Sequence, residues 1–358
     1  MALSRRQFSK ELIGLAGAAL AIGETPLHAK EMPSQTEGMP SVNFIVPRDY
    51  IPPANKTKNP HYSGALCRAA LDFLEQNYKG KSVPVWYRKY ETIDFEIRIQ
   101  NIIYWIMKGV VLHQKIYPVD PAWILAQIMQ ESFFCEFTVS KALAVGVCQF
   151  VNATASEYGM LSAGDRAVHA SSKYKKSEFA GAIKEYHQLR RNRRRFLRKN
   201  RSSLKVKPED LMQSIFEGNQ SEALLVKAKK YVALKRQSAE FDQKIDNARD
   251  NYRSFLLENL KGRDIFNKND LDFIVQFDER LTYKKPVLSM IKMIARALRA
   301  RNGNIVTAAA GYNAGLSTTI AQGVFKPYGT LPNYNETATY ISRVLVFYHE
   351  LNRRMVSR

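Results

Sequence analysis

Glu131 ends the run ILAQIMQE (124–131). It stands three residues after Ile128 and seven after Ile124, so on a helix its carboxylate shares the apolar side with Leu125 and Met129 nearby. A carboxylate on such a face costs free energy unless it is paired or protonated, and burial raises its pKa. A carboxylic acid that stays protonated near neutral pH can pass its proton to the leaving oxygen of a glycosidic bond. Position alone also allows a Glu that snorkels to the surface at the helix end, or one paired with Lys or Arg.

The element carrying Glu131 has a marked start. Asp120 can cap its free amides and Pro121 fits its first turn. Before it, 30–60 reads as an irregular lead-in with PSQTEGMPS and YIPPANKTKNP; helical periodicity begins near Ser63 and resumes over 93–116. Residues 165–270 differ in kind, with 26 Lys and Arg against 14 Asp and Glu, a surplus of 12 in a chain of net charge +21. Ten of those cations, and no acid, lie in 190–207. Phe179, Ala182, Tyr186, Leu189, Arg193 and Phe196 make one helical seam. Leu224, Tyr231, Leu234, Phe241, Ile245, Ala248, Tyr252 and Phe255 make another, with Lys227 and Ser238 as flaws. With Pro208 between them, the segment reads as a helical hairpin arm. Clear β-strand runs and internal repeats are absent.

At 358 residues, 45% hydrophobic and 24% charged, the composition is that of a soluble globular chain. HExxH, CxxC, Walker and GxGxxG motifs are missing, so nothing calls for a metal or a nucleotide cofactor. Three cysteines are too few for a disulfide framework; Cys135 and Cys148 either pair, if the fold brings them together, or are buried thiols. The N-terminus reads SRRQFSK, then a weakly apolar run from Leu12 to Ile22, then a small residue, Ala29, at a plausible cleavage point. This resembles a twin-arginine export signal; a chance Arg pair on an ordinary secretory signal is the alternative, and both place the chain outside the cytoplasm, in the periplasm or cell envelope.

Four motifs follow one another along the chain: Glu131, Ser132 and Phe134; Ser140, Ala144, Gly146 and Gln149 with Thr154, Ala155, Tyr158 and Gly159; Tyr312, Asn313, Ala314 and Gly315; and Glu336, Thr337, Tyr340, Arg343 and Val344. In this order, with nine residues from Glu131 to Ser140 and nine more to Gln149, they resemble the soluble lytic transglycosylase family, relatives of goose-type lysozyme. The resemblance covers roughly 120–160 and 285–350. Leu143 departs from the family's usual Gly, Cys148 from Met and Asn152 from Pro, and Leu316-Ser317 stands where Pro-Gly is common. The family's segment between the Gln and Tyr-Asn motifs is far shorter, so the basic stretch reads as an insertion.

The resemblance implies cleavage of the β-1,4 bond between N-acetylmuramic acid and N-acetylglucosamine in peptidoglycan. Glu131 would protonate the glycosidic oxygen. It would then take the proton of the muramoyl 6-hydroxyl, which closes on C1 as a 1,6-anhydro product. One carboxylate serves both steps, unlike the two-carboxylate scheme, and no cofactor enters. Ser140, Gln149, Val151, Tyr312, Asn313 and Tyr340 would be substrate-binding, with Val151 and Tyr312 walling the acid. Taken without the resemblance, Tyr312-Asn313 with Gly315 ends a helix, Gly146 is a turn, Tyr340, Val344 and Tyr348 are core, and Glu336 serves the helix dipole.

The expected architecture is mainly α: an export signal over 1–29, a lead-in and N-terminal helices over 30–117, a lysozyme-like catalytic domain over 118–164 and 271–358, and the basic arm over 165–270. The expected partner is the peptidoglycan glycan strand. The arm's charge suits an anionic envelope surface or an envelope protein complex better than nucleic acid, since export and the scarcity of interleaved aromatics disfavour the last. A hydrolytic muramidase on the same scaffold and a catalytically silent wall-binding protein are the rival functions.

Overall fold

The computed structural model describes residues 44–52, 60–163, 180–205, 207–218 and 222–356. The export signal, most of the lead-in and Phe179 lie outside them. The fold is mainly α, with eleven helices among the described residues. It divides into two units, one from Met1–Ser162 with Arg263–Arg358, the other from Ala163–Gly262.

In the first unit, α1 (Pro60–Tyr78) leads into a two-residue hairpin, β1 (Ser82–Val83) and β2 (Arg88–Lys89), with Val83 opposite Arg88. This hairpin is a feature the sequence pattern did not announce. Then come α2 (Phe95–His113), α3 (Pro121–Ser132) and α4 (Asn152–Glu157). After the insertion follow α8 (Lys268–Phe277), α9 (Lys284–Ala300), α10 (Ile305–Ala314) and α11 (Asn335–Val356). The caps are local side chains: Asp94 accepts from Ile97 N at 3.2 Å, Asp120 from Ala122 N at 2.8 Å and Asn304 from Thr307 N at 3.1 Å.

Helix α3 is the core element. Every residue from Pro121 to Met129 is buried, and it packs against α2 and α11, while α9 joins α2 and α10. A helix apolar all round has to be enclosed by other helices. Two tyrosines of α11 fix its ends: Tyr348 OH donates to Asp120 Oδ2 at 2.7 Å, and Tyr340 OH donates to Glu131 Oε1 at 2.8 Å. The two helices therefore run antiparallel. The spacing of Tyr340, Val344 and Tyr348 pointed to core packing; that Tyr348 also holds the cap of α3 was not legible in it.

In the second unit, α5 (Ala180–Lys199) and α7 (Glu222–Leu260) run antiparallel. Ring pairs Tyr186–Tyr252 at 6.0 Å and Phe196–Phe241 at 5.5 Å, with the Arg193–Asp242 ion pair at 2.6 Å, set their register. Tyr252, Ala248 and Phe255 are buried, whereas Lys227 faces out. A short helix, α6 (Pro208–Phe216), stands in the connection where only a break was expected. Pro208 at its first turn starts it, and Leu211, Met212, Ile215 and Phe216 repeat at helical spacing.

All three cysteines are free and buried, so Cys135 and Cys148 do not pair. Burial pushes the Cys67 thiol up to about 11 and Cys135 up to about 12. Cys148 rises well above its ordinary value, through burial and then the nearby charge of Glu131. Only the thiolate reacts. Near neutral pH a thiol-exchange reagent is therefore expected to leave all three unlabelled in the native chain and to label all three after denaturation. Fast labelling of the native protein would contradict this packing.

Candidate active site

Glu131 is the first polar interruption of α3 that reaches a partner across the core. Ile124 and Ile128, two turns and one turn earlier on the same side, are fully buried, and Glu131 itself is half-buried. The chain reverses directly after the helix. Phe133 and Phe134 both take left-handed backbone, with φ 47° and 63°. That conformation costs about 1 kcal/mol or more per bulky residue, and burial of both rings holds it. Trp86 Nε1 donates to Phe133 O at 2.8 Å, and the Phe133 ring meets those of Tyr78 and Phe347 at 5.7 and 6.0 Å. This sharp end keeps the carboxyl of Glu131 at the rim of the helix.

The loop 139–150 supplies the facing side. It folds on bridges between Val139 and Val145 and between Val145 and Phe150. Ser140 N donates to Ala144 O at 2.9 Å, and Ser140 Oγ accepts from Ala144 N at 3.0 Å. Leu143, where the resembling family has Gly, adopts the left-handed turn all the same, with φ 62° and its side chain buried. Gly146 cannot be replaced so easily. Its φ is 78°, and a Cβ there would lie 1.9 Å from the backbone oxygen of Arg280. Gln149 also turns left-handed, at φ 48°, and its Nε2 donates to Gly146 O at 2.8 Å.

Three tethers fix this loop. Ser132, beside Glu131 on α3, donates through Oγ to Val147 O at 2.9 Å. Tyr312 on α10 is 1% exposed and donates through its hydroxyl to Cys148 O at 2.6 Å. Arg280, fully buried, donates to Phe150 O at 3.0 Å and Leu143 O at 3.3 Å, while its guanidinium grips Asp278 at 2.6 and 2.9 Å. Asn313 Oδ1 accepts from Thr337 Oγ1 at 2.9 Å, one turn before Tyr340 on α11. Val151, 9% exposed, begins the turn into α4.

The structure thus brings Tyr340 directly onto Glu131 and sets Tyr312 beneath the Cys148–Gln149 turn. Asn313 sits against α11 and Ser140 inside the loop's own turn. A second carboxylate, Glu136, lies five residues on, but it is 1% exposed and held by Arg98 at 2.9–3.2 Å, with Tyr283 OH at 3.4 Å. Its oxygens face a guanidinium enclosed by the rings of Trp86 and Phe266, at 5.1 and 5.2 Å. The Asp278–Arg280 pair escaped sequence reasoning. An Asp and an Arg two residues apart look like solvated turn residues, and only the tertiary approach of the Gly146 loop makes them core. Among the described residues, no cluster of His, Cys, Asp or Glu could hold a metal ion, and no helix is long and apolar enough to cross a membrane.

Residues 112–175 match the family model of the transglycosylase SLT domain. No curated protein and no solved structure matches the chain. The match spans α3, the sharp turn after Glu131 and the loop up to α4. It relates this part of the chain to the soluble lytic transglycosylases, and with them to lytic-transglycosylase-type cleavage of peptidoglycan.

Proposed function

We propose that this chain is an exported lytic transglycosylase that cleaves the MurNAc-β-1,4-GlcNAc bond and leaves a 1,6-anhydromuramoyl end, with Glu131 as general acid and then general base. The observation that carries this reading is the half-buried Glu131 carboxyl at the end of an otherwise apolar helix, with the Tyr340 hydroxyl 2.8 Å from Oε1. In the first step the protonated carboxyl gives its proton to the glycosidic oxygen as the C1–O bond breaks. In the second, the carboxylate takes the proton of the muramoyl 6-hydroxyl, whose oxygen bonds C1. The carboxyl is regenerated and no water is consumed.

The other residues have supporting parts. Tyr340 steadies the carboxylate between the two steps, since a hydrogen bond to a charged acceptor is stronger than one to a neutral group. Ser140, Gln149, Val151 and Asn313 line the sugar path, and Tyr312 shapes it by holding the Cys148 carbonyl. The N-terminal segment 1–29 delivers the chain to the periplasm or cell envelope.

Digestion of purified wall sacculi tests the reading. Soluble fragments with non-reducing anhydro ends are expected. Fragments with reducing ends would make the chain a hydrolytic muramidase, and no release at all would make it a silent wall-binding protein. Within this mechanism, Tyr340→Phe is expected to lower kcat about ten-fold or more with little change in KM, the effect of losing one hydrogen bond to a charged group. An unchanged kcat would remove Tyr340 from the mechanism.

A further inference from the structure

We infer that the far end of the helical unit docks on an anionic lipid surface, inserting apolar side chains among headgroups that its cations attract. The inference is independent of the catalytic reading.

The register of the hairpin leaves one face of this end exposed among the described residues; the turn Ser203–Lys205 packs on α7, where Leu234 is buried. The last ring pair between the helices joins Phe196 to Phe241, yet α7 starts at Glu222. Nineteen helical residues before Phe241 make about 28 Å of helix beyond that pair. On this length Leu225 and Val232 lie two turns apart on one face, 50% and 46% exposed. Lys229 and Arg236 follow each of them by one turn and are exposed too. Apolar and cationic side chains therefore alternate along one stripe.

Helix α6, in the same connection, adds a second apolar face. Met212, Ile215 and Phe216, at i, i+3 and i+4, are 70%, 56% and 91% exposed. Asp210 and Glu217 lie on the other side of this helix, and Glu209 borders the apolar face. Across 199–236 nine Lys and Arg outnumber four acids.

Charge decides what such a surface meets, and apolarity narrows it further. A wall polymer or a nucleic acid backbone needs only the cations. Neither gives the Phe216 ring, almost wholly in water, anywhere to go. A bilayer interface accepts both: each apolar side chain leaves water, and each cation is drawn to the anionic headgroups. Exposed apolar residues gathered at one end and rimmed by charge mark an interaction surface rather than a fold requirement.

The test is co-sedimentation of the full chain with vesicles of phosphatidylcholine, with and without phosphatidylglycerol. The unmodified protein is expected to bind the phosphatidylglycerol vesicles at least about ten-fold more tightly than the neutral ones. The exposed triple substitution Ile215→Ser, Phe216→Ser, Leu225→Ser is expected to weaken binding to phosphatidylglycerol vesicles about ten-fold or more, with unchanged helical circular dichroism. Lys229→Gln with Arg236→Gln should weaken it too, and should also flatten the salt dependence. Equal binding of the triple variant would overturn the inference in favour of cations acting alone. So would equal binding to both vesicle types, or retention only on a soluble protein partner. Vesicle binding by a chain that releases nothing from sacculi would still support docking while removing the catalytic proposal.

Discussion

Glu131→Gln is expected to leave the chain folded and able to bind sacculi, and to cut the release of soluble fragments by about 10²–10⁴-fold. Gln keeps the side-chain volume, and its Oε1 can still accept from the Tyr340 hydroxyl, so the junction of α3 with α11 should survive. What it removes is the proton. Of the carboxylates on and next to α3, Glu136 is locked by Arg98, and Asp120 is at the opposite end of α3, bonded to Tyr348. The loss should fall on kcat with KM little changed, because the interaction removed is made in the transition state. Release at the wild-type rate, measured on the same sacculi, would mean that another group carries the proton.

The largest stability effect is expected at Asp278. Asp278→Ala leaves the Arg280 guanidinium buried without its counter-charge, which costs about 3–5 kcal/mol. In a unit of this size that lowers the melting temperature by roughly 10 °C. Activity should fall as well, because Arg280 anchors Phe150 O and Leu143 O, and its own backbone oxygen lies against Gly146. Replacing both partners with apolar residues, Asp278→Leu with Arg280→Met, should recover most of the stability, since the cost lies in the orphaned charge. The loop would still lack its anchor, so activity should stay low. A thermal melt of Asp278→Ala within about 2 °C of wild type would show that the pair is not the fixed point it looks to be.

Much of the site was legible because its parts are local. The Asp120–Pro121 start, the apolar face of 124–131 and the nine-residue spacings to Ser140 and Gln149 are all short-range patterns. The structure renders them as one buried helix and one tight loop. Tyr340 was legible only as a core residue or a cleft residue. Its bond to Glu131 spans 209 positions, and no period of 3.6 residues encodes a contact at that range. Tyr312 was expected to touch sugar as well as wall the acid; the structure spends its hydroxyl on the Cys148 carbonyl. Leu143 was noted as a departure from Gly, and the turn kept its left-handed form because burial of the leucine offsets the backbone cost. Helix α6 was missed because Pro208 read as a break, although proline equally begins a helix.

Digestion of sacculi in ¹⁸O-labelled water tests the central claim most directly, because the claim is that Glu131 turns the sugar's own 6-hydroxyl, and not a solvent molecule, onto C1. Mass spectra of the first released muropeptides should show no heavy oxygen at the muramoyl C1. One ¹⁸O atom there in every product would show that solvent closes the reaction, and the two-step role given to Glu131 would be wrong.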